Sequence, residues 1–76
     1  MKVLLFSHLQ ESLGTAEVEL DWKPQSVEAF KLKFKEVYNV TGLDQVMIAI
    51  NESYAMDTDI IEPGDVVALI PPVSGG

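Results

Sequence analysis

Glu62-Pro63-Gly64-Asp65-Val66-Val67-Ala68-Leu69-Ile70-Pro71-Pro72-Val73-Ser74-Gly75-Gly76 is the stretch on which the fold turns. It opens on a turn, because proline presets φ at one central position and glycine accepts φ > 0 at the next. Val66 to Ile70 is apolar at every position, so neither face of this strand has a polar side to turn toward water. Such a run reads as a central strand rather than a half-exposed one. Pro71-Pro72 has no N–H to give a ladder, so pairing stops there. The chain then leaves the sheet as Val73-Ser74-Gly75-Gly76.

A central strand needs neighbours, and the sequence supplies candidates upstream. Lys2 to Ser7 reads as a buried strand, with Val3, Leu4, Leu5 and Phe6 in a row. His8 to Leu13 carries Leu9 and Leu13 four apart, which suits one or two helical turns closed by Gly14. Ala16 to Leu20 alternates, with Val18 and Leu20 on one face and Glu17 and Glu19 on the other. It pairs with the first strand as a hairpin whose connection holds the short helix. Val46 to Ile50 places Val46, Ile48 and Ile50 on one face. Asn51-Glu52 turns the chain, and Ser53 to Met56 returns briefly. Asp57 to Ile61 reads as a loop or a single turn.

Between these two hairpin-like units lies the main helix. After the connection Asp21 to Gln25, Ser26 is suited to accept a hydrogen bond from an orphan N–H of the first turn. Glu28 sits where the helix N-terminus favours negative charge. Val27, Phe30, Phe34, Val37 and Tyr38 follow the three-and-four spacing of a buried helix face. The helix ends near Asn39, with Gly42 beyond. Strand, strand, helix, strand, short strand, strand is the order of an α+β domain with one helix laid across a mixed sheet.

Size and charge narrow the function. A chain of 76 residues holds one domain, with little room for a deep substrate pocket beside its core. The apolar share of 47% and charged share of 22% are those of a globular domain. No apolar run approaches the roughly 20 residues of a membrane span. The opening Met1 to Phe6 lacks the length and cleavage site of a signal peptide, so a cytoplasmic location is expected. Twelve acids against five lysines, with no arginine, give a net charge of −7. That balance repels phosphate backbones and sets nucleic-acid binding aside. Two readings of the acid excess stay open: steering toward a basic partner, or solubility alone. Cysteine is absent, so the chain has no thiolate nucleophile of its own.

The tail has physical features of its own. Pro71-Pro72 stiffens the exit, and residues 71–76 reach about 20 Å when extended. Gly75 and Gly76 have no Cβ and so can thread a narrow channel. A terminal glycine carboxylate is open to activation. A frayed end is the competing reading of such a pair.

The residues around that pair carry a resemblance. The acid-x-Gly-Asp turn, the apolar strand and the Pro-Pro-Val-Ser-Gly-Gly end resemble the small subunit of molybdopterin synthase. Lys2-Val3-Leu4-Leu5-Phe6, the helix up to Gly14, Ser26-Val27 and Ala49-Ile50-Asn51 look like the same family. The resemblance implies a ubiquitin-like β-grasp domain over residues 1–70 and an extended flexible tail over 71–76. It implies a sulfur carrier that is not an enzyme by itself. A ubiquitin-activating-type adenylyltransferase uses ATP to adenylate Gly76, and sulfur replaces AMP to give a thiocarboxylate. Gly75 allows close approach. The tail enters the large catalytic subunit, where two transfers build the dithiolene of molybdopterin from cyclic pyranopterin monophosphate. Two small and two large subunits are a further implication; no permanently bound cofactor and no metal are expected, and charge and hydropathy set nucleic acid and membrane aside.

Phe6, Tyr54 and Ile70 are expected to form an apolar contact patch for these partners, continued by Pro71, Pro72, Val73 and Ser74. Plain core burial competes, for Ile70 above all. Tyr54 and Ile70 depart from the residues commonest at these positions in the family. A thiamine-pathway sulfur carrier and a ubiquitin-like protein modifier share the fold and the Gly-Gly end, though Pro71-Pro72 argues against the first. The remaining signals are quieter. His8 has no Ser or Cys nucleophile beside it and reads as solvent-facing. Asp57-x-Asp59 lacks the glycine and bidentate glutamate of a calcium loop. Trp22 and Tyr38 read as edge-of-core packing, and Lys31, Lys33 and Lys35 as a solvated helix face.

Overall fold

A computed structural model describes residues 1–72. In chain order the elements are β1 (Lys2–Leu5), α1 (Ser7–Leu13), β2 (Glu17–Glu19), β3 (Gln25–Ser26), α2 (Val27–Tyr38), a 3-10 turn (Leu43–Gln45), β4 (Met47–Ile50), β5 (Ser53–Ala55), β6 (Ile60–Ile61) and β7 (Val66–Ile70). Five strands make one sheet in the order β2-β1-β7-β4-β5. The apolar run Val66–Ile70 is its middle strand, parallel to β1 and antiparallel to β4. A strand with neighbours on both sides and side chains on both faces has little use for polar residues, which is why this segment carries none. The mixed sheet on one main helix is the β-grasp arrangement expected from the sequence.

Alternation along each strand decides which residues enter the core. Val3 and Leu5 of β1, Ile48 of β4, and Val67 and Leu69 of β7 point to the helix side and are buried. They meet Val27, Phe30 and Phe34 of α2, each at 1% exposure or less. The aromatic spine continues at both ends. Trp22 lies 5.5 Å from Phe30 and Tyr38 lies 4.5 Å from Phe34, ring centre to ring centre. Both are half-buried, as edge-of-core residues should be.

Local chemistry fixes the ends of the helices. The Ser26 hydroxyl accepts from the Ala29 N–H at 3.1 Å, the cap its position promised. Asn39 closes α2 in the left-handed region (φ 53), a conformation asparagine tolerates better than most residues. Gly14 closes α1 at φ 72, its N–H donating to the Gln10 carbonyl.

Four expectations change. The first strand stops at Leu5 rather than Ser7. Phe6 caps α1, and Ser7 turns the chain at φ 51. That early turn brings Leu9 into the core at 1% exposure. Val37 is 57% exposed although it falls on the apolar stripe. In the last turn of α2 the Tyr38 ring occupies the place beside Phe34, and Val37 is left outside. Asp57 to Ile61 is more ordered than a loop. Its end, β6, pairs antiparallel with β3, and Val27 N–H donates to the Asp59 carbonyl at 2.8 Å. The lysines of α2 are not merely solvated: Lys33 lies 4.6 Å from the Trp22 ring centre, and Lys31 reaches Asp57 at 3.5 Å.

Candidate functional site

The sheet has a second face, and it carries no helix. Residues that alternate with the core positions point there, and the strand registers align them in rows. Glu17, Leu4, Ala68, Ala49 and Tyr54 follow one another across the five strands. A second row sets Met47 of β4 against Ile70 of β7. Two alanines in the middle leave the centre shallow, while Leu4, Met47, Tyr54 and Ile70 stand around it. Met47 is 48% exposed and Tyr54 69%. An apolar patch of this kind, built from alternate residues of paired strands, marks an interaction site more often than chance exposure.

The expected contact residues fall on this face. Tyr54 is open to solvent, and Ile70 is half-buried at the end of the middle strand, between the core and contact readings. Phe6 is 44% exposed and its backbone stays extended (φ −125, ψ 156). One further step of the β1–β7 register past Leu5 and Leu69 therefore sets Phe6 against Ile70, on the side of Leu4. Pro71 and Pro72 follow directly, half-buried and exposed. The patch thus lies at the point where the chain leaves the sheet. Val73, Ser74, Gly75 and Gly76 lie outside the described residues.

Met47 was not among the expected contact residues. The signal for it was present: Val46, Ile48 and Ile50 inward forces Met47 and Ala49 outward, and both are apolar. Glu52 is likewise outside that expected set. It shares the two-residue β4–β5 turn with Asn51, and both have positive φ (50 and 72), the signature of a type I′ hairpin.

Side-chain hydrogen bonds hold that turn against the start of β7. The Asn51 amide donates to Asp65 Oδ1 at 3.0 Å, and its Oδ1 accepts from the Val66 N–H at 3.0 Å. The Asn51 N–H donates to the Val66 carbonyl at 2.8 Å. Asp65 Oδ2 accepts from the Glu62 N–H at 2.8 Å. The Glu62 N–H, and then the Asn51 amide, hold the Asp65 carboxyl below its ordinary pKa, since both bonds favour the ionised form. Three elements of the outer face are thereby pinned in one register.

Charge is distributed unevenly around the two layers. Lys31, Lys33 and Lys35 belong to α2, behind the core. On the outer face Lys2 is the cation, 3.6 Å from Glu17, and Glu19 lies in register beside it. His8 is exposed on α1. Among the described residues no three His, Asp or Glu side chains gather as a metal site would need, and no helix is long and apolar enough to cross a membrane.

Known proteins are similar to this chain in sequence and in fold. The chain is 35% identical over 81 residues to the "Molybdopterin synthase sulfur carrier subunit" of Arabidopsis thaliana, covering 100% of this chain and 82% of that protein. It is 36% identical over 81 residues to the protein of the same name in Dictyostelium discoideum, covering 99% and 94%. The crystal structure of SAMP1 from Haloferax volcanii superimposes with a TM-score of 0.77 at 27% identity, covering 99% of this chain and 97% of that one. The model of the ThiS family matches residues 3–76, so the whole body of the domain, from β1 through the outer face to the glycine pair, belongs to the ThiS family.

Proposed function

We propose that this protein is a sulfur carrier, the small subunit of molybdopterin synthase, and that Gly76 bears the sulfur. The observation that carries the reading is 35–36% identity along essentially the entire chain to two proteins of that name. The outer face supports it, because an apolar surface at the exit of the tail is what a partner needs in order to grip the domain and receive its end.

In this reading the Gly76 carboxylate attacks the α-phosphate of ATP on a ubiquitin-activating-type adenylyltransferase, and pyrophosphate leaves. A sulfur nucleophile then displaces AMP from the acyl carbon and leaves a thiocarboxylate. This is an activated-carboxyl exchange. Gly75 lets the terminus approach closely in both steps. Pro71 to Ser74 span the distance from the sheet to the active site of the large subunit. There the thiocarboxylate gives its sulfur to cyclic pyranopterin monophosphate on the way to molybdopterin. The large subunit supplies the catalytic residues, and this chain supplies the sulfur and the handle, without holding a cofactor itself. Phe6, Tyr54 and Ile70 form that handle together with Met47.

Incubation with the cognate adenylyltransferase, ATP and a sulfur source, followed by intact mass spectrometry, tests the proposal. Exchange of one oxygen for sulfur adds about 16 Da, and deletion of Gly76 prevents the gain. An unchanged mass with a competent activating enzyme sinks the reading. A second reading, a ubiquitin-like protein modifier, is favoured by the similarity to SAMP1, which is a "small archaeal modifier protein 1". Adducts between the terminus and lysines of other proteins are its distinguishing product.

A further inference from the structure

Resting on the outer face as the docking surface, the geometry points to a socket in that face for a lysine or arginine side chain of the docking protein, with Glu52 as its counter-ion. A hollow of about 300 Å³ opens at the lower half of the face. Leu4, Val66 and Ala68 line it with apolar surface, and Asn51 and Glu52 of the β4–β5 turn complete its lining. Apolar walls leading to one carboxylate match the two parts of a basic side chain, an alkyl stem and a charged head. Asn51 is already committed to Val66 and Asp65. Glu52 enters neither of the two ion pairs among the described residues.

The backbone beneath Glu52 supports the assignment. At φ 72 it holds the second central position of a type I′ turn, where glycine fits without strain and a residue with a Cβ does not. A glutamate kept there at a conformational cost needs a use for its side chain. No side-chain hydrogen bond or ion pair among the described residues involves it, and it lines the hollow. The surroundings agree in sign. Glu17 and Glu19 border the same face on β2, and its cation Lys2 is taken by Glu17. The face therefore presents an apolar centre with net negative charge at its edges. A partner with a basic periphery is attracted to it over distance, and one basic side chain is seated on contact.

Binding of the full-length protein to the large subunit of molybdopterin synthase from the same source tests the socket. Affinity is measured at several salt concentrations for wild type, Glu52→Gln, Glu52→Gly and Tyr54→Ala. Glu52→Gln is expected to weaken binding about tenfold and flatten its salt dependence. Glu52→Gly is expected to weaken binding equally while melting at or above the wild-type temperature, because the turn relaxes. Wild-type affinity and salt dependence in both Glu52 variants, with Tyr54→Ala weakened, overturn the socket and leave the docking face standing. Wild-type binding by Tyr54→Ala as well removes the face, and the socket with it. A Glu52→Gly protein that melts lower shows that the glutamate serves the fold, and overturns the proposal too.

Discussion

The two faces of one sheet are made from the same strands and nearly the same kinds of residue, yet they have opposite fates. Val3, Leu5, Ile48, Val67 and Leu69 are covered by α2 and its aromatic spine. Leu4, Met47, Ala68 and Ile70 alternate with them on the same strands, are half-buried or exposed, and have no covering element in the described chain. A sheet with one wet face normally shows polar residues there. The difference teaches that apolar alternation alone does not say where the core is. The inner face is identified by having a helix whose stripe matches it. The outer face has the composition of a buried surface with no covering element among the described residues.

Mutations that separate the two faces put this contrast at risk. The largest effect belongs to the inner one. Phe34→Ala empties a site of 0% exposure between Phe30 and Tyr38, and should lower unfolding free energy by about 3–5 kcal/mol in urea titrations. Tyr54→Ala on the outer face should do the reverse. Its effect on unfolding stays within about 0.5 kcal/mol, while affinity for the large subunit falls by about 2 kcal/mol, the range of an aromatic anchor. A Tyr54→Ala protein that loses stability instead of affinity would make the outer face a second core and erase the contrast.

The smallest effect concerns the joint that holds the outer face in register. Asp65 has a depressed pKa in the folded protein. Its contribution is therefore present above the unfolded-state value of about 4 and is lost as pH falls through the folded value. Asp65→Asn should be less stable than wild type at neutral pH, and the gap should close on acidification below that range. Parallel urea titrations at pH 7 and pH 3 read the difference. A gap that stays constant with pH would assign the effect to shape rather than charge.

How much of this was legible in the sequence depends on how many residues carry each signal. The middle strand was readable because five consecutive apolar residues followed a Pro-Gly turn. The inner stripe of α2 was readable because Phe30 and Phe34 are large and correctly spaced. The β3–β6 pair was not, since two strands of two residues each are too short to show a period of two. Val37 departs from its stripe because spacing gives direction but not whether a bulkier neighbour has already filled the space. On the outer face, Phe6 and Tyr54 are legible as exposed apolar positions, while Ile70 is half-buried and stays between the core and contact readings. Met47 is a fainter signal, because the alternation of β4 marks its inward residues and leaves the outward ones unassigned. The turn glutamate was invisible for a different reason: its interest lies in φ, and no side-chain pattern announces a backbone angle.

The parallel pairing of β1 with β7 has a mechanical consequence. The tail continues from the middle strand, and β7 is bonded along its length to β1 on one side and β4 on the other. A pull on the tail runs along the strand, so both ladders are loaded in shear and their hydrogen bonds must yield together rather than open one after another like a zipper. Tension applied beyond Pro72 is therefore shared across both ladders before any strand is dislodged.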